Sequence, residues 1–216
     1  LILAKKHGTK VIPTPKLYSI GRENNYYFSH ILNCPFDCKY CFLGGMYRSA
    51  DYVFFINSKD YLEEIDKVAK AHPDNSVTFF SGYDGDSLAL DNLTGFCEEY
   101  LPFFNKRPNI DLEIRTKSIN IGGLKKLTPS KNIILAYTLS PEIIAKNIES
   151  KTPSLSSRIK AIKELQELGW TIGLRFDPLI DFENAEDHYL EFFHMLKDQI
   201  DFDAIHSVTT GPFRLP

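Results

Sequence analysis

Short apolar runs alternate with amphipathic segments along almost the whole chain. Six of these runs are rich in β-branched and aromatic residues and predict strands, over residues 25–32, 76–82, 111–117, 132–139, 171–176 and 203–208. Apolar residues spaced three and four apart predict helices, over residues 60–71, 91–104, 121–127, 156–168 and 185–200. This alternation indicates a parallel sheet of right-handed strand–helix–strand units, either open or curled into a barrel. In both forms ligands bind at the carboxyl ends of the strands, so the residues that follow each strand are the candidates for a functional site.

The composition is that of an ordinary globular domain. Of the 216 residues, 43% are hydrophobic and 25% are charged, and the net charge is −3. These values exclude a disordered acidic tail, a collagen-like repeat and a strongly basic nucleic-acid coat. No internal repeat or long flexible linker divides the sequence, so we expect one domain over residues 1–216. The chain starts at Leu1 and stops at Pro216 in an unfinished-looking segment, and we expect it to be part of a slightly longer polypeptide.

The sequence also predicts where the protein resides. No stretch approaches the roughly 20 consecutive apolar residues of a membrane helix, and the N-terminus lacks the charged-then-apolar order of a secretory signal. We therefore expect a cytoplasmic protein that does not enter a membrane. Basic residues precede the cysteines and recur elsewhere, and they predict either a local phosphate-binding face or a solvated surface. These residues are Lys5, Lys6, Lys10, Lys16, Arg22, Lys39, Arg48 and Arg214.

Three of the four cysteines lie together after the first predicted strand, in the run Cys34-Pro-Phe-Asp-Cys38-Lys-Tyr-Cys41. In a reducing compartment, three thiols on one loop indicate a metal centre rather than disulfides. A zinc site would need a fourth ligand, and His30 is near enough in sequence to supply it. A four-iron cluster would take the three cysteines and leave one iron open to a small molecule. The spacing alone leaves both centres possible.

The cysteine run, with the aromatic Tyr40 directly before Cys41, resembles the signature of radical S-adenosylmethionine enzymes. Further segments resemble the spore photoproduct lyase branch of that superfamily, namely NCPFDCKYCFL, DLEIRTKS, KNIESKTPSLSSRIKAIKELQELGW and RFDPLIDFENAEDHYLEFF. The resemblance implies a partial (β/α)6 barrel and a [4Fe–4S] cluster held by Cys34, Cys38 and Cys41. It also implies S-adenosylmethionine on the open iron as the source of a 5′-deoxyadenosyl radical.

The substrate and the protein partners that the resemblance implies follow from the same branch. They are DNA that contains a pyrimidine photoproduct, and an electron donor such as flavodoxin or ferredoxin. The resemblance leaves open whether the protein is a monomer or a dimer.

The resemblance also implies which residues contact S-adenosylmethionine. Ser81 and Gly82 follow the second predicted strand, where the family binds the amino group, and an ordinary turn is the structural alternative. Lys117 ends the third strand, where its cation would hold the carboxylate, and a solvated lysine at the end of a strand is the structural alternative. The resemblance also implies contacts from Tyr40 and Thr138, and the preference of threonine for strands is the structural alternative for Thr138. A further candidate, because it follows the fifth strand, is Asp177. It would bind the ribose hydroxyls or the substrate, and a turn before the following proline is its structural alternative.

At two positions the sequence departs from the family. Tyr83 stands where the lyases carry the cysteine that returns a hydrogen atom to the product, and Phe42 stands where they carry a tyrosine. Tyr83 is therefore a candidate hydrogen donor, although a phenol and a thiol are not equivalent donors. Two alternatives to a photoproduct lyase stay open. One is a radical S-adenosylmethionine enzyme with a different substrate, and the other is a non-catalytic iron–sulfur protein such as a redox sensor.

Overall fold

The computed structural model of the chain describes residues 1–16, 18–72 and 76–213. The strands are β1 Ile2–Ala4, β2 Val11–Pro13, β3 Asn24–Phe28, β4 Ile31–Leu32, β5 Asp37–Cys38, β6 Val53–Phe55, β7 Val77–Ser81, β8 Ile110–Thr116, β9 Ile133–Thr138, β10 Glu149–Ser150, β11 Thr171–Leu179 and β12 Ile205–Pro212. The α-helices are α1 Leu43–Met46, α2 Ser58–Lys70, α3 Asp91–Thr94, α4 Phe96–Asn105, α5 Glu142–Asn147, α6 Leu155–Glu167 and α7 Ala185–Gln199, and a 3₁₀ helix covers Leu124–Lys126.

The main sheet has seven strands in the order β12-β11-β9-β8-β7-β3-β2. Six strands of this sheet pair in parallel, namely β3, β7, β8, β9, β11 and β12. Strand β2 adds an antiparallel edge next to β3. These six parallel strands correspond to the six predicted ones. Residues from all six line one cavity, which requires the sheet to curve. The outer strands β2 and β12 do not pair with each other in the described part of the chain, so the structure is a partial barrel.

Burial explains why the strands have different sequence patterns. All residues of β7 and β9 are buried, because helices cover the outside of the sheet and side chains fill its inside, and such strands have nearly continuous apolar sequences. Strand β12 lies at an edge, and its residues alternate between partly buried and exposed. Continuous apolar runs and alternating apolar and polar residues both predict strands, so the long strands could be recognised from the sequence.

Two predicted elements are divided in the structure. The predicted strand 25–32 is broken by Ser29 and His30, and its second part, β4, leaves the barrel to pair with β6 in a small sheet that also contains β1. The predicted helix 91–104 is interrupted at Gly95, which has a φ of 64° and separates α3 from α4. Glycine adopts this left-handed conformation without the steric cost that other residues incur.

In the described residues, none of the helices has the length and apolar character needed to cross a bilayer.

Candidate active site

The carboxyl ends of the parallel strands and the cysteine loop enclose a cavity of about 1030 Å³. Strands β7, β8, β9 and β11 and the connections that follow them bring the predicted site residues to its wall. All ten of these residues line the cavity: Cys34, Cys38, Tyr40, Cys41, Ser81, Gly82, Tyr83, Lys117, Thr138 and Asp177. The structure thus brings the predicted residues together, while their individual roles remain predictions.

The cysteine loop is held by backbone contacts. Strand β5, which contains Cys38, pairs antiparallel with β10, and the amide of Cys41 donates to the carbonyl of Cys38 at 2.9 Å. The amide of Cys34 donates to Asn33 Oδ1 at 2.9 Å. Burial raises the pKa of Cys34 to about 12 and the pKa of Cys38 to about 11. Both thiols are therefore protonated at neutral pH in the metal-free chain, and binding of a metal centre would release their protons.

The arrangement of donors fits an iron–sulfur cluster better than a zinc ion. In the described parts of the chain, no three His, Cys, Asp or Glu side chains are placed to hold one metal ion. His30, the predicted fourth zinc ligand, is 1% exposed, and its ring stacks on Phe96 at a centroid distance of 4.1 Å. It lies in the core and does not line the cavity. A [4Fe–4S] cluster binds each thiolate at a different iron atom, so it suits three cysteines that line one cavity without converging on a single point.

A buried carboxylate, which sequence reasoning missed, anchors Tyr40. The hydroxyl of Tyr40 donates to Glu149 Oε1 at 2.5 Å, and Arg158 Nη2 donates to Glu149 Oε2 at 2.5 Å. Both ionic side chains are 0% exposed. Burial alone would raise the pKa of Glu149, but the charges of Lys117 and Arg158 and the hydrogen bond from Tyr40 hold it below its usual value. Glu149 and Arg158 lie within the segment KNIESKTPSLSSRIKAIKELQELGW, which resembles the family, but that resemblance does not indicate this contact.

Lys117 directly follows β8, beside this anchor. Its Nζ lies 5.3 Å from the centre of the Tyr40 ring, and the described part of the chain offers it no ion pair. Its backbone amide donates to Asp86 Oδ2 at 2.7 Å, and Asp86 Oδ1 accepts from Thr116 Oγ1 at 2.7 Å. Burial raises the pKa of Asp86. Asp86, which sequence reasoning also missed, thus ties the end of β8 to the loop after β7 and leaves the Lys117 cation available to a ligand.

Ser81 and Gly82 are part of the cavity wall, but their contacts are structural. Ser81 is 2% exposed, and its hydroxyl contacts Ser87 Oγ at 2.9 Å and donates to the carbonyl of Glu113 at 3.2 Å. Gly82 has a φ of 81°, and a Cβ there would lie 2.3 Å from Ser87 Oγ. Glycine is therefore required at this position by packing as well as by conformation. Thr138 is 3% exposed, at the end of β9.

Tyr83 lies at the cavity wall with two aromatic neighbours. Its ring stacks on that of Tyr27 at 4.3 Å with an interplanar angle of 16°, and the ring of Phe42 is 5.6 Å away. Tyr83 is 46% exposed, so a ligand in the cavity can reach it. The two residues at which the sequence departs from the family are thus neighbours in one aromatic group.

The predicted basic face is partly used within the fold. Arg22 donates from Nε and Nη2 to the Asp111 carboxylate at 2.6 and 2.7 Å, and Lys10 Nζ lies 3.7 Å from Glu64 Oε2. Arg214 lies outside the described residues. These ion pairs favour the structural interpretation for part of the basic set.

A sequence model of one protein family, described as spore photoproduct lyase, matches residues 22–212. The chain belongs to the spore photoproduct lyase family. The spore photoproduct lyase of Bacillus subtilis is 23% identical over 197 residues, which cover 91% of this chain and 58% of the relative. That of Clostridium acetobutylicum is 24% identical over 196 residues, with coverages of 87% and 58%. The chain thus spans 58% of the length of these curated relatives.

Solved structures of the spore photoproduct lyase family have the same fold. One, of a lyase complexed with dinucleoside spore photoproduct, superposes with a TM-score of 0.83 at 18% identity and covers 93% of this chain and 57% of that one. Another, of a mutant with bound AdoMet and dinucleoside spore photoproduct, gives a TM-score of 0.79 at 19% identity, with coverages of 88% and 57%. The family assignment and the partial (β/α)6 barrel predicted from the sequence are therefore confirmed.

Proposed function

We propose that this chain is the catalytic barrel of a radical S-adenosylmethionine enzyme that acts on a thymine photoproduct in DNA. The observation that carries the proposal is that three cysteine thiols and the Lys117 cation line one cavity at the carboxyl ends of the strands. AdoMet and dinucleoside spore photoproduct are bound in a solved structure of the same fold. A cavity of about 1030 Å³ is of the size that holds a cofactor and part of a substrate.

Each of the chain's own residues has a defined task in this proposal. Cys34, Cys38 and Cys41 would hold a [4Fe–4S] cluster, which with S-adenosylmethionine supplies a 5′-deoxyadenosyl radical for hydrogen abstraction. Lys117 binds the cofactor carboxylate, because its cation lines the cavity beside Tyr40 and can pair with an anion there. The backbone at Ser81 and Gly82 and the Tyr40 ring complete the cofactor wall, together with Thr138. The electron would come from a flavodoxin or a ferredoxin.

The test is reconstitution of the cluster without oxygen, followed by dithionite and S-adenosylmethionine and detection of 5′-deoxyadenosine by mass spectrometry. We expect 5′-deoxyadenosine from the unchanged chain and none from Cys38→Ala, because loss of one thiolate ligand prevents assembly of the cluster. Cys97→Ala is the matched control, since Cys97 is a buried residue of α4 that does not line the cavity. It should retain both iron and product formation. If the reconstituted chain yields no 5′-deoxyadenosine, it is a non-catalytic iron–sulfur protein.

A radical enzyme with a different substrate is the second candidate, and Tyr83 at the position of the family's cysteine is the observation that favours it. Addition of dinucleoside spore photoproduct distinguishes the photoproduct lyase from a radical enzyme with a different substrate. Formation of thymidine dinucleoside supports the lyase, whereas 5′-deoxyadenosine without any thymidine dinucleoside supports the second candidate.

A further inference from the structure

A second group of polar side chains lines the cavity on strands that carry none of the cysteines. It consists of Arg115 on β8, Asp177 on β11 and Thr209 on β12, which we call the polar subsite. Each has hydrogen-bonding capacity that the protein leaves unused. Arg115 Nε and Thr209 Oγ1 are buried without a hydrogen-bond partner. In the described part of the chain, Asp177 makes one ion pair, in which its Oδ2 lies 3.6 Å from Arg115 Nη1, too far for a good hydrogen bond.

A purely structural ion-pair network does not account for Arg115. The buried carboxylate on its own strand, Glu113, already receives two hydrogen bonds from Arg175, at 3.2 and 2.7 Å. Arg115 Nε approaches Glu113 Oε1 only to 3.5 Å. The Arg115 side chain is 29% exposed and lines the cavity, so part of its guanidinium can be reached by a ligand there. Arg115 and Asp177 therefore both have hydrogen-bonding capacity that a polar ligand at the cavity wall can use.

The charges around the polar subsite determine what kind of ligand it suits. Two guanidinium groups, Arg115 and Arg175, face two carboxylates, Glu113 and Asp177, so this group has no net charge. A balanced group gives no Coulombic preference to a phosphate or a carboxylate. It favours an uncharged group that both donates and accepts hydrogen bonds. Tyr18 and Phe80, whose rings are 4.9 Å apart, also line the cavity and offer apolar surface to a flat ring.

We infer that the polar subsite binds the imide edge of a pyrimidinedione ring. Such an edge presents a carbonyl, an N–H and a second carbonyl. The accessible part of the Arg115 guanidinium donates to a carbonyl, and the Asp177 carboxylate accepts from the N–H. This inference rests on the proposed function, because thymine and its photoproduct carry this edge. It assigns Asp177 to the substrate and not to the cofactor ribose.

The test compares binding of the dinucleoside spore photoproduct with binding of the same compound methylated at N3 of its rings. Calorimetric titration of the reconstituted chain should show that methylation weakens binding at least about tenfold, because it removes the proton that Asp177 accepts. Asp177→Ala and Arg115→Met should each weaken binding of the unmethylated compound by a similar factor. In Asp177→Ala the two compounds should bind equally, since their difference depends on that carboxylate. Asp181→Asn, an exposed residue that does not line the cavity, is the matched control.

The possible outcomes separate this inference from the function on which it rests. Equal binding of both compounds to the unchanged chain would overturn the polar subsite alone. Competition by inorganic phosphate would also overturn it, because that would reveal an anion site. Absence of binding to either compound would overturn the substrate proposal together with the subsite, whereas 5′-deoxyadenosine formation would still report on the cofactor chemistry. Circular dichroism of each variant separates lost binding from lost folding.

Discussion

Tyr83 illustrates how much one residue can change within a retained scaffold. Tyr83, the hydrogen donor proposed from the sequence, stacks on Tyr27 and lies near Phe42 at the cavity wall. Stacking holds the ring in place without using its hydroxyl, which keeps the O–H group available to a substrate. The position of Tyr83 is therefore compatible with the proposed role of hydrogen donor.

We predict that Tyr83→Phe lowers the yield of repaired dinucleoside at least about tenfold while 5′-deoxyadenosine is still formed. Phenylalanine preserves the stacked ring and removes only the O–H group, so the cavity keeps its shape. Both products are measured by liquid chromatography from one anaerobic reaction. Tyr27→Phe is the control, since it changes the stacking partner by the same single oxygen atom. An unchanged yield in Tyr83→Phe would show that another group supplies the hydrogen.

At the scale of elements, the cysteine loop depends on a segment more than 100 positions away in the chain. Strand β5 pairs with β10, the amide of Lys39 donates to the carbonyl of Ile148 at 2.9 Å, and Tyr40 donates to Glu149, 109 residues later. Glu149 is in turn held by Arg158 in the first half of α6. The loop that would hold the cluster is thus positioned by the connection between α5 and α6.

We predict that Glu149→Gln destabilises the chain by about 3–5 kcal/mol, because it leaves the fully buried Arg158 charge without a carboxylate partner. The same change weakens the anchor of Tyr40, so the reconstituted variant should hold less iron per chain. Urea unfolding and iron analysis measure the two effects. Glu142→Gln is the matched control: its partner Lys146 is an exposed i,i+4 neighbour at 3.0 Å, and such pairs contribute less than about 0.5 kcal/mol. Equal effects of both substitutions would contradict the anchoring role.

Elements differed in how well they could be predicted, for physical reasons. Strands of five or more residues and helices of ten or more residues repeat their burial pattern, and the six parallel strands were recognised with ends within a few residues. Strands of two or three residues, such as β5 and β10, give no repeat and form only because partners distant in sequence meet. The break at Gly95 was missed because glycine is tolerated within helices and the apolar spacing continues across it.

At the scale of the whole molecule, the stability of the fold should depend on pH through a buried histidine. His30 lies between the barrel and the small sheet of β1, β6 and β4, and burial lowers its pKa to about 3. In the unfolded chain a histidine titrates near 6.5. Between these values the unfolded state binds a proton that the folded state does not.

We therefore predict that the free energy of unfolding is highest above about pH 6.5 and decreases as the pH falls towards 3. His30 alone contributes a slope of up to about 1.4 kcal/mol per pH unit. His30→Phe keeps a ring against Phe96 and should reduce this slope by one proton, measured by urea unfolding of the metal-free chain at several pH values. The same substitution at the exposed His7 is the control, and a profile that His30→Phe leaves unaltered would contradict the prediction.

The sequence by itself determined the parallel sheet, the cysteine run and the strand ends at which a site would form, because these features depend on local periodicity and short spacing. It also indicated the family through its motifs. Only the tertiary structure decided that His30 is a core residue, that Glu149 and Asp86 hold parts of the cavity wall, and that Arg115, Asp177 and Thr209 line the same cavity. Those properties depend on burial and on contacts between residues distant in the chain, which a linear pattern does not encode.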